Sequence, residues 1–419
     1  MANSAEAANT WSEARSDAMG GTGVASASYG SAALINPALL AKSAPEDNVS
    51  VVLPSVGVQV TDKDNLRDRI DDISDDVDNY RHVLDGLTPR DILRNPYGVL
   101  NDFQSAAGDL AGQLSDLKGK TARANAAAGI AVSIPTSAVS LAFVTKAYAH
   151  ARVSSDISQD DINYLRQIQN SDPFALGQIG NALINGNDAI TRNLNSTASG
   201  KAAIVSDYGI AIARKFDIGG VPVSVGVTPK LQKTWLYNYT TSIYDYHSDD
   251  WKKSKYRNDD TGFNVDAGIA ADFGENWTVG LSGQNLMSRD IDTKDIRITN
   301  GSTGEVKSYK DTYQIRPLVT AGAAWHNDLL TLSADADLTE TKGFRSEDNS
   351  QYVGVGAEVR PLSWLAVRGG YRADMRGNDS NVFTAGLGFA PLNTVHVDLM
   401  GLYGEDQTWG AGAQLSLTF

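Results

Sequence analysis

The chain has 419 residues, a formal charge of −14, 39 glycines and no cysteine. Disulfides and thiolate chemistry are therefore excluded, and a zinc site would need His and carboxylates. The acidic balance speaks against nucleic-acid binding through a general basic surface. No window approaches 18 consecutive apolar residues, so no transmembrane helix is expected. A mean hydropathy of −0.27 leaves a transmembrane barrel open, because only alternate residues of its strands meet lipid.

The sequence begins Met1-Ala2-Asn3-Ser4-Ala5, without the basic and then apolar run of a signal peptide. If the protein is exported, this is expected to be its mature form with Met1 as a replacement. Residues 15–42 are rich in small side chains. Gly20-Gly21-Thr22-Gly23 invites a phosphate-loop reading, but no strand precedes it and the Gly-Lys-Ser/Thr element is missing. A compact coil able to pack inside something else fits better.

From residue 48 the pattern becomes that of strands. Fourteen are expected, at 48–60, 124–134, 138–153, 201–215, 220–236, 261–273, 277–289, 311–325, 329–341, 350–360, 364–374, 381–390, 394–403 and 409–419. Most alternate with period two: Leu330, Leu332, Ala334, Ala336 and Leu338 oppose Thr331, Ser333, Asp335, Asp337 and Thr339. Links after even strands are short, as at Pro135-Thr136, His326-Asn327, Pro361-Leu362 and Pro391-Leu392, and those after odd strands are usually longer. Short periplasmic turns alternating with long outer loops are a feature of outer-membrane barrels, and an even strand count leaves both barrel ends in the periplasm. A soluble two-sheet protein does not account for that alternation. Trp277, Trp325, Trp364, Trp409, Phe389 and Tyr403 fall near strand ends, where interfacial girdles are expected.

Two stretches, 61–121 and 154–200, are not strand-like. Ile70, Ile73, Val77, Tyr80, Val83, Leu84 and Leu87 recur at helical spacing. After Pro89 and Pro96 so do Leu100, Phe103, Ala107, Leu110, Leu114 and Leu117. Ile162, Leu165 and Ile168 repeat the pattern, followed past Pro173 by Ala175, Leu176, Ile179 and Leu183. Both insertions fall on the long-loop side and are expected to form a helical cap, a surface for an extracellular protein partner. The acidic run Asp71, Asp72, Asp75, Asp76 and Asp78 lacks the spacing of a calcium loop and reads as a solvated face; no metal site is expected.

The parity opposite the apolar one supplies charges to the lumen, which must be paired or hydrated. Arg316, Glu358, Arg360, Arg368 and Arg372 are the candidates for luminal ion pairs, with Arg368 and Arg372 set against Glu358 and Arg360. The five histidines sit in no nucleophile motif, and G-x-S-x-G is absent. His396 and Asp398 share an inward face, a bare minimum for acid–base work, and His247 lies in the aromatic, acidic run 244–250. No catalytic residue and no cofactor are assigned.

The last strand, Trp409 to Phe419, has one apolar and one small or polar face and ends on Phe419. It resembles the closing strand of outer-membrane β-barrels, whose terminal Phe is read by the barrel-assembly machinery. Ala18-Met19-Gly20-Gly21-Thr22-Gly23-Val24-Ala25, with Asn36-Pro37-Ala38-Leu39-Leu40, resembles the amino-terminal signature of the FadL-like transporter superfamily. Gly262-Phe263-Asn264-Val265-Asp266, Val279-Gly280-Leu281, Asn285-Leu286 and Asp335-Ala336-Asp337-Leu338-Thr339 resemble the conjugal-transfer TraF-type branch. The resemblance covers nearly the whole barrel but not the insertions. It implies an all-β membrane protein, a fourteen-stranded antiparallel barrel (48–419) in the outer-membrane lipid of a bacterium, with residues 1–47 as a luminal hatch. It further implies uptake of a hydrophobic small molecule, with detergent as a stand-in on purification. In the hatch, Met19, Val24, Leu34, Ile35, Asn36, Pro37 and Leu39 would bind it, or would pack the plug. A gap in strand pairing, sought at strand three, would be a lateral exit. The alternatives are a plugged barrel serving as a conjugation-associated surface anchor, and an open polar porin.

Overall fold

A computed structural model describes residues 4–5, 13–43, 48–63, 65–85, 94–136, 138–172, 194–245, 253–300, 303–391 and 394–419. Fourteen strands form one closed antiparallel barrel. They are β1 (Ser50–Thr61), β2 (Thr121–Ile134), β3 (Ser140–Asp156), β4 (Thr197–Ile218), β5 (Val221–Ser242), β6 (Arg257–Phe273) and β7 (Trp277–Gln284). Then follow β8 (Leu318–His326), β9 (Leu330–Asp337), β10 (Tyr352–Leu362), β11 (Leu365–Asp374), β12 (Val382–Phe389), β13 (Val395–Gly404) and β14 (Thr408–Thr418). Each pairs with its chain neighbour and β14 closes on β1, with Val51 opposite Leu417 and Val60 opposite Trp409. Closure removes the unpaired edges that could not survive in lipid.

All fourteen expected strands are present; β5 runs six residues past its expected end to Ser242, β9 stops at Asp337 rather than 341, and the change at β7 and β8 has a local cause. Asn285 adopts a left-handed conformation (φ 52°) directly after β7, so the expected 277–289 strand ends at Gln284. Its continuation, Arg289–Asp292, pairs with Thr312–Ile315 in a separate small sheet, and β8 starts only beyond Pro317. Strand three carries no gap: β3 pairs without a register shift with both β2 and β4. Register shifts lie instead in β1, where a bulge at Pro54–Ser55 interrupts the ladders to β14 and β2, and at the β10–β11 turn between Val359 and Leu362. Proline has no N–H to give a ladder, which accounts for the bulge.

The apolar parity faces outward. On β4, Tyr208, Ile210, Ile212 and Phe216 are exposed while Val205, Ala211 and Ala213 are buried inside. Aromatics meet across strands at both rims. Phe273 lies opposite Trp277, and Trp277 opposite Trp325, at the short-turn end. Tyr371, Phe383, Tyr403 and Trp409 follow one another across β11–β14 at the long-loop end. Two girdles around an apolar band mark a lipid-facing surface.

Three helices, α3 (Leu66–Asp85), α4 (Pro96–Leu117) and α5 (Gln159–Gln169), form the insertions beyond β1 and β3. Tyr80, Phe103, Leu110, Leu114, Ile162, Leu165 and Ile168 are among the side chains of a shared apolar core, so the cap buries its own hydrophobic faces. The α5 carboxylate Asp161 is buried and accepts from the Asn195 and Ser196 N–H groups at 2.8 and 2.7 Å and from Ser196 Oγ at 2.6 Å. Asp72, Asp75 and Asp78 are exposed. The readings at Pro89, Pro173, Ala175, Leu176, Ile179, Leu183, and 246–250 with His247 lie outside the described residues.

Candidate functional site: the barrel lumen

Inward-facing residues of β3 serve as a ruler from the short-turn end outward: Ala142, Val144, Lys146, Tyr148, His150, Arg152. Each step meets a different layer. At Ala142 and Val144 the lumen holds residues 13–43 of the chain. That segment contains α1 (Ala14–Asp17), α2 (Ala32–Ile35) and a 3₁₀ turn over Pro37–Lys42. Leu34, Leu39 and Leu40 pack on Val52, Ala131, Ala142, Ala211, Ala213 and Ala270, mostly alanines whose short side chains leave room for leucine.

The other half of the wall is stripped to glycine. A Cβ at Gly226 would lie 2.4 Å from the Pro37 carbonyl carbon, and one at Gly280 would lie 2.6 Å from Val24 O. At Gly354, Gly356 and Gly370 it would meet Gly20 O at 2.4 Å, Met19 O at 2.2 Å and Gly20 N at 2.2 Å. These glycines neighbour one another across the strands, Gly280 opposite Gly322 and Gly356 opposite Gly370. Only a belt without side chains admits a second backbone this close. On β9, which supplies no belt glycine, Asp335 Oδ2 accepts from the Gly23 and Val24 N–H groups at 2.7 and 2.9 Å.

Charge ties the segment down at both ends. Arg15 reaches Glu358 at 2.8 Å and Lys42 reaches Asp272 at 2.6 Å. Glu358 is fully buried and also meets Arg360 and Arg368, each at 2.7 Å, while Arg368 continues to Asp398 at 2.6 Å. Burial alone would lower the Arg15 pKa; the charge and hydrogen bonds of Glu358, with Glu13 and Asp398, raise it instead. Arg372 stands opposite Gly354, not beside Glu358. It lies over the Tyr352 ring at 4.4 Å and donates to Gln59 at 3.3 Å. Arg316 directly follows the small sheet between β7 and β8 and pairs with Asp290 at 2.5 Å.

At Lys146 the layer is polar: Lys230 holds Asp207 at 2.7 Å and Asp266 at 2.9 Å, and Gln232 bridges Asp207 and Asn285. At Tyr148 it is apolar. Ala127, Tyr148, Ala203, Val205 and Leu236 form a collar on the inner wall, covered by Ile291, Tyr313 and Ile315 from the β7–β8 connection and by Phe344 from the β9–β10 connection. Tyr313 and Phe344 meet edge to face at 5.2 Å. At His150 and beyond, charges hold those connections inside. Glu347 meets His150 at 3.1 Å and Arg152 at 3.8 Å, and Asp311 meets Lys201 at 2.6 Å; Asp379, on the β11–β12 connection, meets Arg123 at 3.2 Å.

The residues assigned to ligand in the sequence lie in the segment's packing. Met19 and Val24 turn their carbonyls onto the glycine belt, and the Ile35 carbonyl accepts from Ser282 Oγ at 2.7 Å. Asn36 donates to Val24 O at 2.7 Å and caps the turn at Ala38 N–H, and Pro37 seats on Gly226. None of the seven lines the cavity of about 510 Å³ at the short-turn mouth, whose walls include Arg15, Ser28, Tyr29, Arg360, Trp364, Arg368, His396 and Asp398. The collar was missed because its members are scattered over four strands and two connections. The glycine belt left a signal: glycine recurs on the polar parity at one height in successive strands.

Comparison with known proteins places this geometry. The family model described as "F plasmid transfer operon, TraF, protein" matches residues 33–337. No curated protein matches the sequence. Among solved structures, the chain is similar to the Ralstonia pickettii toluene transporter TbuX at 12% identity, 98% of each chain and a TM-score of 0.52. The CymD monoaromatic hydrocarbon channel aligns at 10% identity over 97% of this chain and 96% of its own, with a TM-score of 0.50. A Pseudomonas aeruginosa FadL homologue aligns at 11% identity over 100% and 99%, with a TM-score of 0.48. At these identities, what the TbuX and CymD structures share with the chain is the fold.

Proposed function

The chain belongs to the F plasmid transfer operon TraF family, and on that premise we propose that it is a gated bacterial outer-membrane channel for hydrophobic small molecules. No bond chemistry is involved. The observation that supports this reading is the collar of Ala127, Tyr148, Ala203, Val205 and Leu236. It is an apolar patch on the inner wall of four adjacent strands, β2 to β5, separated from the apolar packing of residues 13–43 by the polar layer at Lys230, and it is covered by Ile291, Tyr313, Ile315 and Phe344 from two connections between strands. A hydrocarbon guest that displaced Tyr313 and Phe344 would recover the same apolar contacts. Residues 13–43 would then act as the hatch, and the bulge at Pro54–Ser55 beside it, where Ser55 Oγ accepts from Ala14 N–H at 3.3 Å, is the place for a lateral exit. Phe419, whose N–H closes on Val49 O at 3.0 Å, would be the residue the barrel-assembly machinery reads.

A second reading has its own observation. The connections are held inward by Glu347 and Asp311, and the polar layer at Lys230 lies between collar and hatch. A permanently plugged barrel, anchoring the helical cap for an extracellular partner, is built from the same contacts. Native mass spectrometry of the detergent-purified barrel, followed by titration with toluene, separates the two. Near-stoichiometric apolar guest, kept or increased in Tyr313→Ala and Phe344→Ala, which vacate the space it would take, supports the channel. An empty barrel that takes up no toluene and passes none in vesicles overturns it in favour of the anchor.

A further inference from the structure

We propose that the outward face of β5 and β6, at the long-loop end, binds the phosphate groups of an outer-leaflet glycolipid of the lipid A type. The site requires the barrel to stand in an outer membrane, but neither the channel nor the anchor reading.

Its height follows from β6. Phe263 and Phe273 both face outward and are exposed, and Phe273 belongs to the short-turn girdle. They lie about ten residues apart, which at a rise of about 3.3 Å per residue and a tilt of about 40° is about 25 Å along the membrane normal, the height of an apolar band. Leu231 on β5 stands opposite Phe263 and is exposed as well. Outward residues of these two strands beyond that pair therefore reach the level of the outer headgroups.

What stands there is cationic and aromatic. Lys233, opposite Thr261, is the next outward residue of β5, and its Nζ lies 5.1 Å from the Trp235 ring centroid. Tyr237 follows, opposite the exposed Arg257. Lys255 is exposed, with Nζ 4.6 Å from the Tyr256 ring centroid, and Tyr256 meets Tyr239 edge to face at 4.9 Å. An ammonium over an aromatic face is steadied without being neutralised. Among the described residues Lys233, Lys255 and Arg257 make no ion pair, and the outward carboxylate of the two strands is Asp259, opposite Trp235. Three cations against one anion leave two positive charges on this face of a chain whose total is −14. Inside the barrel the same residue types are paired, as Lys230 is with Asp207 and Lys201 with Asp311. Uncompensated cations at headgroup height, continuous with the lipid-facing band, complement a phosphorylated lipid.

The neighbouring wall leaves room for its acyl chains. Ala124, Ala151 and Ala202 lead across β2, β3 and β4 to Tyr237, and Ala128, Ala147 and Ser206 lead to Lys233. Strand tilt carries these rows from β5 down into the apolar band toward β2. Side chains this short let chains hanging from a bound headgroup lie close against the barrel.

Native mass spectrometry of the purified barrel in a non-ionic detergent tests the site. The probes are bisphosphorylated lipid A, the same lipid with both phosphates removed, and phosphatidylglycerol. Saturable binding of lipid A is expected, with the other two at least several-fold weaker. Lys233→Gln and Arg257→Gln are each expected to weaken lipid A binding about fivefold, the order of one basic residue at an anionic lipid surface. Lys255→Gln covers the case in which either variant does not fold. Arg214→Gln is the control: Arg214 is exposed near the short-turn end of β4, 5.3 Å from the Phe216 ring, and its loss should leave binding as in wild type. Equal binding of the dephosphorylated lipid or of phosphatidylglycerol, displacement of lipid A by equimolar inorganic phosphate, unchanged affinity in the folded β5 and β6 variants, or an equal loss in Arg214→Gln overturns the proposal.

Discussion

Arg15 in the amino-terminal segment grips Glu358 on the barrel wall with two hydrogen bonds, from Nε at 2.8 Å and Nη2 at 3.2 Å. The two residues are 343 positions apart and both lie inside the lumen. Removing one partner of a buried pair costs about 3–5 kcal/mol, because the other charge stays behind. Glu358→Gln removes the carboxylate that three guanidiniums share, but Arg368 keeps Asp398 and Arg360 is half exposed, so the loss is expected to lie within that range. Arg15→Met leaves Glu358 satisfied by Arg360 and Arg368, so its effect should be confined to the segment. Heat-modifiability on gels reports the barrel and limited proteolysis of residues 13–43 reports the segment. Arg15→Met should open the second and spare the first.

Asp17 gives a pH dependence with a definite sign. It is buried in α1, and desolvation, with Glu13 next to it, pushes its carboxyl well above the ordinary 3.8. Between the ordinary value and the raised one, the folded state binds more protons than the unfolded state. Stability therefore falls as pH rises through that window and is flat above it. Asp17→Asn keeps an acceptor for the Glu13 N–H (3.0 Å in the native protein) and carries no charge to bury. It is expected to stabilise the protein by on the order of 1 kcal/mol at pH 7.5 and by nothing below pH 3.5. Unfolding curves at the two pH values check this; an equal effect at both would refute it.

The glycine belt predicts a difference between two adjacent residues. Gly370 faces the lumen, where a Cβ would meet Gly20 N at 2.2 Å, while at Gly369 its nearest neighbour is Thr384 O at 3.9 Å. Gly370→Ala is expected to cost about 1–3 kcal/mol through overpacking and to shift residues 18–24 off the wall. Gly369→Ala should be within about 0.5 kcal/mol of wild type, as surface changes usually are. Proteolysis at 18–24 and single-channel conductance read the displacement. Equal behaviour of the two variants would show that the segment does not rest on the belt.

The sequence carried the barrel in two local signals, the period-two alternation and the short-long rhythm of its links. Both are set by neighbours along the chain, so fourteen strands and their outward faces were legible. The closing of β7 at Asn285 was not, because Thr278 to Asp292 keeps a strand-like composition and the break depends on Asn264 and Asp266 capturing the backbone at Met287 and Asn285. Arg368 and Arg372 were read from their inward parity as one network with Glu358 and Arg360; register joins Arg368 to Glu358 and sets Arg372 opposite Gly354. Glu347 with His150, like Tyr313 with Phe344, joins segments that only tertiary folding brings together.

The collar supplies the last prediction. Tyr313 and Phe344 are fully buried, touch each other, and bridge the two connections that fill the lumen. Truncating either leaves a cavity at a cost of about 3–5 kcal/mol where the site cannot relax. Because they share one contact, the double variant should lose less than the sum of the singles. The β-barrel ladder is elsewhere, so gel mobility of the folded form should be unchanged, while hydrogen exchange in 285–317 and 338–351 rises. If the collar holds the connections shut, Tyr313→Ala should also raise the leak of a small apolar dye through proteoliposomes. If Glu347 and Asp311 hold them instead, the leak stays at wild-type level and rises only when Glu347→Gln is added. The two outcomes assign the gate to apolar packing or to the ion pairs beyond it.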